Sequence, residues 1–477
     1  MKHILSTCLI CFSFLTINGY SQGYDITIKV DGIKDTSAYL SYYYGKGQYY
    51  RDTAEVNKSG EMNFTSKDTL AHGLFSLILN DVKLFDFIVD KQKFSLSTDT
   101  VNSIKAMKVK NSPENELFFE YLNFLNLRQR EVKKLQEELE TADENRKAEI
   151  DARMTELDEE VKTYIDNLHK DYKGTFTSNF IYGLEYPQVP EAPKNEDGSI
   201  DSSFSFKYFK KHFFDNLDFT DERLLHSTIY HEKVFYYMNK LTLQDPDSVI
   251  KAADYVLGLA SQNSELFKYT LSNLTSKYER SEQMGMDAVF VHLAKNYFMK
   301  GKADDWFDEK QLEKLSERAN ALDPLLIGKK APNIVVKDTA QEKFLELYKI
   351  NAKYTIVYIW SPECGHCKIA TPKLKKLYDK YKDKGVEVFG VGNEFENEEW
   401  IEFIRKHDLN WINGSDGGDF RSNFRSLYDV YSTPETYLLD ENKNILSKKM
   451  SVESLENILE YYFKRDEKLK EKATNEE

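Results

Sequence analysis

Apolar and polar residues alternate through Tyr24-Asp25-Ile26-Thr27-Ile28-Lys29-Val30 and again through Ala38-Tyr39-Leu40-Ser41-Tyr42. A period of two is the pattern of half-buried strands. Asp31-Gly32 and Ser59-Gly60 supply turn signals between such runs. Residues 22–112 therefore read as a small antiparallel β-domain. Its tyrosines, Tyr42, Tyr43, Tyr44, Tyr49 and Tyr50, read as sheet surface and cross-strand packing rather than as a ligand platform.

From Pro113 the period changes. Val132, Leu135, Leu139, Ala142, Ile150, Met154, Leu157, Val161, Ile165 and Leu168 follow helical spacing between charges, and no Gly or Pro interrupts Glu114 to Tyr172. One long amphipathic helix or a close helical pair satisfies this pattern, with the charged face in solvent. Pro187 to Ser203 reads as a loop. Phe204 to Asp323 returns to helical spacing, broken at Asp245-Pro246, Met284-Gly285 and Lys300-Gly301-Lys302. Residues 113–325 are thus expected to form a helical domain. Its histidines, His212, His226, His231 and His292, show no i, i+4 pairing, so no metal site is expected there.

The last third alternates strand and helix. Tyr354-Thr355-Ile356-Val357-Tyr358-Ile359-Trp360 is an unbroken apolar run suited to a strand buried on both faces. Leu374, Leu377, Tyr378 and Tyr381 then take up helical spacing. Residues 326–466 read as an α/β domain and 467–477 as a charged tail, so the fold class is multidomain α+β.

Composition changes the picture at the N-terminus. Met1-Lys2-His3 is a short basic start, Ile4 to Ile17 an apolar run, and Gly19-Tyr20-Ser21 a small-x-small pattern, so residues 1–21 read as a signal peptide. The apolar run falls well short of the ~20 residues a membrane-spanning helix needs. The chain is expected in the periplasm or cell envelope of a bacterium, and no lipid anchor is expected because Cys8 and Cys11 lie inside the run. Lys2 is the only charged residue of the segment, so processing takes the formal charge from −14 to −15. That balance lacks the clustered basic surface a nucleic-acid partner requires.

Processing also removes two of the four cysteines. The remaining two form Cys364-Gly365-His366-Cys367, a single adjacent pair rather than the spaced pairs of a disulfide-stapled secreted protein. The pair falls where the apolar strand gives way to helical spacing. A helix start offers unpaired N–H groups and a positive dipole end, which favour thiolate over thiol. The effect is worth at most about 2 kcal/mol, or about one and a half pKa units. Thiolate is the species that attacks a disulfide. His366 adds stabilisation when protonated, whereas Glu363 opposes it. A zinc half-site would need two further ligands that the sequence does not supply. Peroxiredoxin chemistry would need Pro-x-x-x-Thr/Ser-x-x-Cys, and the proline position holds Val357. A purely structural bridge would close too short a loop to stabilise much.

Trp360, Cys364, Cys367, Pro372 and Thr433-Pro434 together resemble the thioredoxin superfamily, and more closely its exported TlpA/ResA-like branch, over about Leu326 to Lys464. The resemblance implies a thioredoxin-like fold for 326–466 and protein-disulfide oxidoreductase activity with no cofactor. It implies that Cys364 attacks, Cys367 resolves, Pro372 kinks the active-site helix and Pro434 is cis against the disulfide. Tyr358 stands where thioredoxin has a buried acid, and Glu394 is the candidate replacement. The TlpA/ResA-like branch acts mainly as reductants fed by a membrane partner. The intervening Gly-His is similar to protein disulfide isomerase, so isomerase or oxidase activity is the alternative, together with a non-enzymatic envelope binding protein. The segment from Phe209 through Leu326 resembles a helical domain that precedes such modules in exported bacterial proteins. The preceding β-region, with its exit Asn111-Ser112-Pro113-Glu114-Asn115, resembles their N-terminal domain.

Overall fold

A computed structural model describes residues 23–194, 197–393, 398–416 and 423–475. The segment 1–21 expected to be a signal peptide lies outside them. The chain divides into two compact units, Met1–Leu241 with Leu259–Leu266, and Thr242–Gly258 with Phe267–Glu477. The division falls within the helical stretch rather than at its ends.

In the first unit, two four-stranded sheets form the β-domain. One runs in the order Glu61–Thr65, Asp25–Asp31, Lys93–Asp99, Lys108–Lys110, the other Gly47–Val56, Thr36–Tyr44, Gly73–Leu79, Val82–Val89. The alternation read from the sequence is the burial pattern: Ile26, Ile28 and Val30 are buried while Asp25 and Asp31 are exposed. One pairing departs from the antiparallel expectation. Asp25–Asp31 runs parallel to Lys93–Asp99, with Ile26 opposite Phe94 and Ile28 opposite Leu96. Parallel neighbours need a long crossover, and here the whole second sheet supplies it.

The exit from the β-domain shows why Ser112-Pro113-Glu114-Asn115 starts a helix. Ser112 caps the Pro113–Leu139 helix by accepting from the Asn115 N–H, and Pro113 fills a first-turn position that needs no donor. Buried Asn115 also takes the N–H of Ile88 at 2.8 Å and donates to the Ile88 carbonyl at 2.5 Å, tying helix to strand. The charged stretch that follows is a helical pair, Pro113–Leu139 and Glu144–Asp171, with Asp143 capping the second helix. Leu135, Ile150 and Leu157 are buried between the two, flanked by Val132, Leu139, Ala142 and Met154.

In the second unit, the Glu309–Leu322 helix leads through a short 3-10 turn, Asp323–Leu325, into a seven-stranded sheet. Its order is Phe344–Glu346, Val335–Asp338, Ile412–Ser415, Val386–Gly392, Tyr354–Trp360, Glu435–Leu439, Ile445–Lys448. The central Tyr354–Trp360 strand pairs parallel with Val386–Gly392 and antiparallel with Glu435–Leu439. It shows no alternation in sequence because both faces are covered. Tyr354, Ile356, Tyr358 and Trp360 join one core with residues of the Gly365–Tyr381 and Val452–Asn475 helices, and Val357 and Ile359 join another with Phe424, Tyr428 and Tyr437. The last helix runs on to Asn475, so the charged stretch expected as a tail from 467 is helical that far. No helix among the described residues is long and apolar enough to cross a membrane.

Candidate redox site

Cys364 is the N-cap of the Gly365–Tyr381 helix, and its sulfur accepts the Cys367 N–H at 3.4 Å. The strand Tyr354–Trp360 ends four residues earlier, so the cysteine pair sits at the strand-to-helix junction that the spacing predicts. Both cysteines are free thiols, Cys364 part-exposed and Cys367 buried. From the far side, the Cys364 thiol donates to the Thr433 carbonyl at 3.0 Å. The Thr433–Pro434 peptide is cis.

The two sulfurs ionise very differently. Burial works against the Cys364 thiolate, but hydrogen bonding by the Thr433 side chain and by the Cys367 and His366 backbone outweighs it and holds the thiol below its ordinary value. Burial dominates at Cys367 and pushes its thiol up to about 12. The outer sulfur is therefore the more readily ionised of the two, and the inner one stays protonated at neutral pH.

The other expected residues fall in distinct places. His366 is exposed between the cysteines. Pro372 lies inside the active-site helix, where it removes a backbone donor. Trp360 is fully buried and lies against Tyr358, Trp400 and Phe403, so it supports the floor of the site rather than its surface. Glu394 lies outside the described residues. The nearest described residue before it, Asn393, donates its N–H to the Trp360 carbonyl at 2.9 Å. Among the described residues there is no cluster of three or more His, Cys, Asp or Glu that could hold a metal ion.

Sequence reasoning missed the partner of Tyr358. Its hydroxyl lies 2.8 Å from Thr371 Oγ1, which donates in turn to the Cys367 carbonyl at 2.8 Å. With the Thr371 proton committed to that carbonyl, Tyr358 is the donor. Burial raises the Tyr358 phenol beyond any neutral-pH role as a base. The i, i+4 spacing of Cys367 and Thr371 was the available signal. Also missed was Glu435, buried directly after Pro434. It pairs with Ile359, on the sheet face opposite the Cys367 core. Burial raises its carboxyl, against the pull of Lys449 at 3.7 Å.

A central parallel strand feeding a helix capped by one of two unequal thiols, with a cis-proline loop across from it, defines a thioredoxin-superfamily dithiol protein. Residues 327–448 match the AhpC/TSA family, residues 120–323 a domain of unknown function (DUF5106) and residues 24–118 another (DUF4369). The thiol-disulfide oxidoreductase ResA of Bacillus thuringiensis is 29% identical over 135 residues, 28% of this chain and 76% of that protein. The thiol:disulfide interchange protein DsbE of Pseudomonas fluorescens is 28% identical over 131 residues, 27% of this chain and 68% of that protein. Among solved structures, a domain of a possible thiol-disulfide isomerase from Cytophaga hutchinsonii is 40% identical over 30% of this chain and 98% of its own, with a TM-score of 0.29. A thioredoxin-like protein from Bacteroides caccae is 20% identical over 58% of this chain and 99% of its own, with a TM-score of 0.44. The chain is a protein-disulfide oxidoreductase, carrying a ResA/DsbE-like thioredoxin domain behind two domains of unknown function.

Proposed function

We propose that this chain is a reductase of disulfides in exported proteins, acting through Cys364 and Cys367. The Cys364 thiolate attacks one sulfur of a client disulfide, the other client sulfur leaves and takes up a proton, and a mixed disulfide forms. Cys367 then loses its proton and attacks Cys364 Sγ, releasing the second client sulfur. The client gains two electrons and the Cys364–Cys367 bond closes. A membrane electron donor reopens it. In this reading residues 1–21 direct export, 22–112 and 113–325 are accessory domains, and 326–466 carry the chemistry. His366, Trp360, Pro372, Thr433 and Pro434 support the pair, and Glu394 is the candidate proton acceptor for Cys367.

The observation that carries the reading is the inequality of the two thiols, the outer one lowered and reachable, the inner one raised and enclosed. Cys367→Ser should accumulate covalent complexes with exported proteins that a reductant releases. Capture of none, while Cys364 remains alkylable, would remove the exchange mechanism. Cys364→Ser should lose function altogether, whereas a purely binding role would survive it.

Exposed His366 favours a second reading in which the pair works as isomerase or oxidase, since an imidazolium beside the thiolate stabilises the reduced form. The reduction potential decides between them: a strongly oxidising value excludes the reductase.

A further inference from the structure

The loop that presents the Thr433 carbonyl to Cys364 is gripped at its start by a residue from outside the thioredoxin-like domain. Asp429 begins the loop in a left-handed conformation, φ 51°, and is 5% exposed. Arg318, on the Glu309–Leu322 helix, donates from Nη1 to Asp429 Oδ1 at 2.6 Å. The Arg318 guanidinium also lies 5.6 Å from the ring centre of Tyr431, which is 82% exposed. Asp429 Oδ2 has no hydrogen-bond partner, and Lys449 Nζ lies 3.7 Å from it. At the other end of the loop, Thr436 accepts from the Met450 N–H and donates to the Met450 carbonyl. The five residues from Asp429 to Thr433 are thus held at both ends, and only one of those anchors comes from the helical segment.

We propose that Arg318 is a positioning residue of the redox site, holding the Asp429–Tyr431 shoulder so that the loop keeps Thr433 against Cys364. The physical reason is the buried carboxylate. Without the guanidinium, Asp429 would be an enclosed charge with no close counter-ion, a costly arrangement that the loop relieves by moving outward. That movement loosens the segment whose Thr433 carbonyl meets Cys364 from across the site. This gives the end of the DUF5106 match, residues 120–323, a part in the chemistry of the following domain. The inference rests on the exchange reading above.

The test follows Cys364 in the full mature chain carrying Cys367→Ser, by the rate of alkylation with iodoacetamide against pH. Because hydrogen bonding by the Thr433 side chain is the largest influence holding the Cys364 thiol down, Arg318→Gln should shift the Cys364 profile upward by about half a pKa unit, lowering alkylation at neutral pH about threefold. Arg318→Lys should recover most of that loss. Lys314→Gln, which removes an exposed charge one turn earlier on the same helix, should leave the profile unchanged. An unchanged profile in Arg318→Gln overturns the proposal, as does an equal shift in Lys314→Gln, which would mean a general charge effect. Should Arg318→Gln not fold, Asp429→Asn gives the same readout and the same two outcomes. If the unsubstituted chain exchanges with no model disulfide, the exchange reading fails instead, which the alkylation profile alone would not show.

Discussion

The thiol of Cys364 meets the carbonyl of Thr433 at 3.0 Å, although 69 residues of chain separate them. A carbonyl accepts only from the protonated sulfur, so ionisation of Cys364 breaks this bond and frees the Thr433 oxygen. Reactivity and the state of the facing loop are therefore linked.

Alkylation of the reduced protein at neutral pH should label Cys364 and spare Cys367. With the inner thiol at about 12 against an ordinary 9.0, the thiolate fraction at Cys367 is lower by about three orders of magnitude, before steric protection. Peptide mass spectrometry after a brief iodoacetamide pulse reads this directly. Equal labelling would contradict the inequality.

The same raised thiol makes the stability of the reduced form pH-dependent. The folded state holds the Cys367 proton more tightly than the unfolded state, so this contribution is complete below the ordinary value of 9.0 and is lost as pH rises toward about 12. Melting curves of the reduced protein should fall more steeply across that window than those of Cys367→Ser, which lacks the titrating sulfur.

Tyr358→Phe removes the donor to Thr371 but leaves Thr371 bonded to the Cys367 carbonyl. The expected cost is about 1 kcal/mol of stability, with disulfide exchange within twofold of the unsubstituted protein. A tenfold loss of exchange in a variant that melts normally would give the phenol a part in proton transfer.

Asn115→Ala strips both partners from the buried Ile88 backbone. Two enclosed polar groups left unpaired cost about 2–5 kcal/mol. Denaturant unfolding should show the loss, while Cys364 alkylation, governed by the other unit, should keep its pH profile.

Local chemistry was legible in the sequence. The Tyr354–Trp360 run, the helix beginning at the cysteines and the Thr433-Pro434 step are each written in neighbouring residues, and the structure places them at one site. The helical pair was legible in its apolar spacing, but not its break, because Asp143 among many acids carries no distinctive signal. Long-range pairings were not legible. The parallel match of Asp25–Asp31 with Lys93–Asp99 depends on two strands with a whole sheet between them, and either would have suited an antiparallel neighbour. The grip of Arg318 on Asp429 spans 111 residues, and nothing around Arg318 distinguishes it from the other cations of its helix.

That parallel match also sets when the N-terminal domain can close. As the chain emerges from its N-terminus, Asp25–Asp31 finds Glu61–Thr65 on one side early, yet its other edge stays open until Lys93–Asp99 arrives. Through that interval Ile26, Ile28 and Val30 belong to a ladder with unsatisfied amides, the kind of edge that recruits stray strands. A nascent chain stalled or cut before residue 93 would be a seed for aggregation, whereas a few residues more let the domain seal itself.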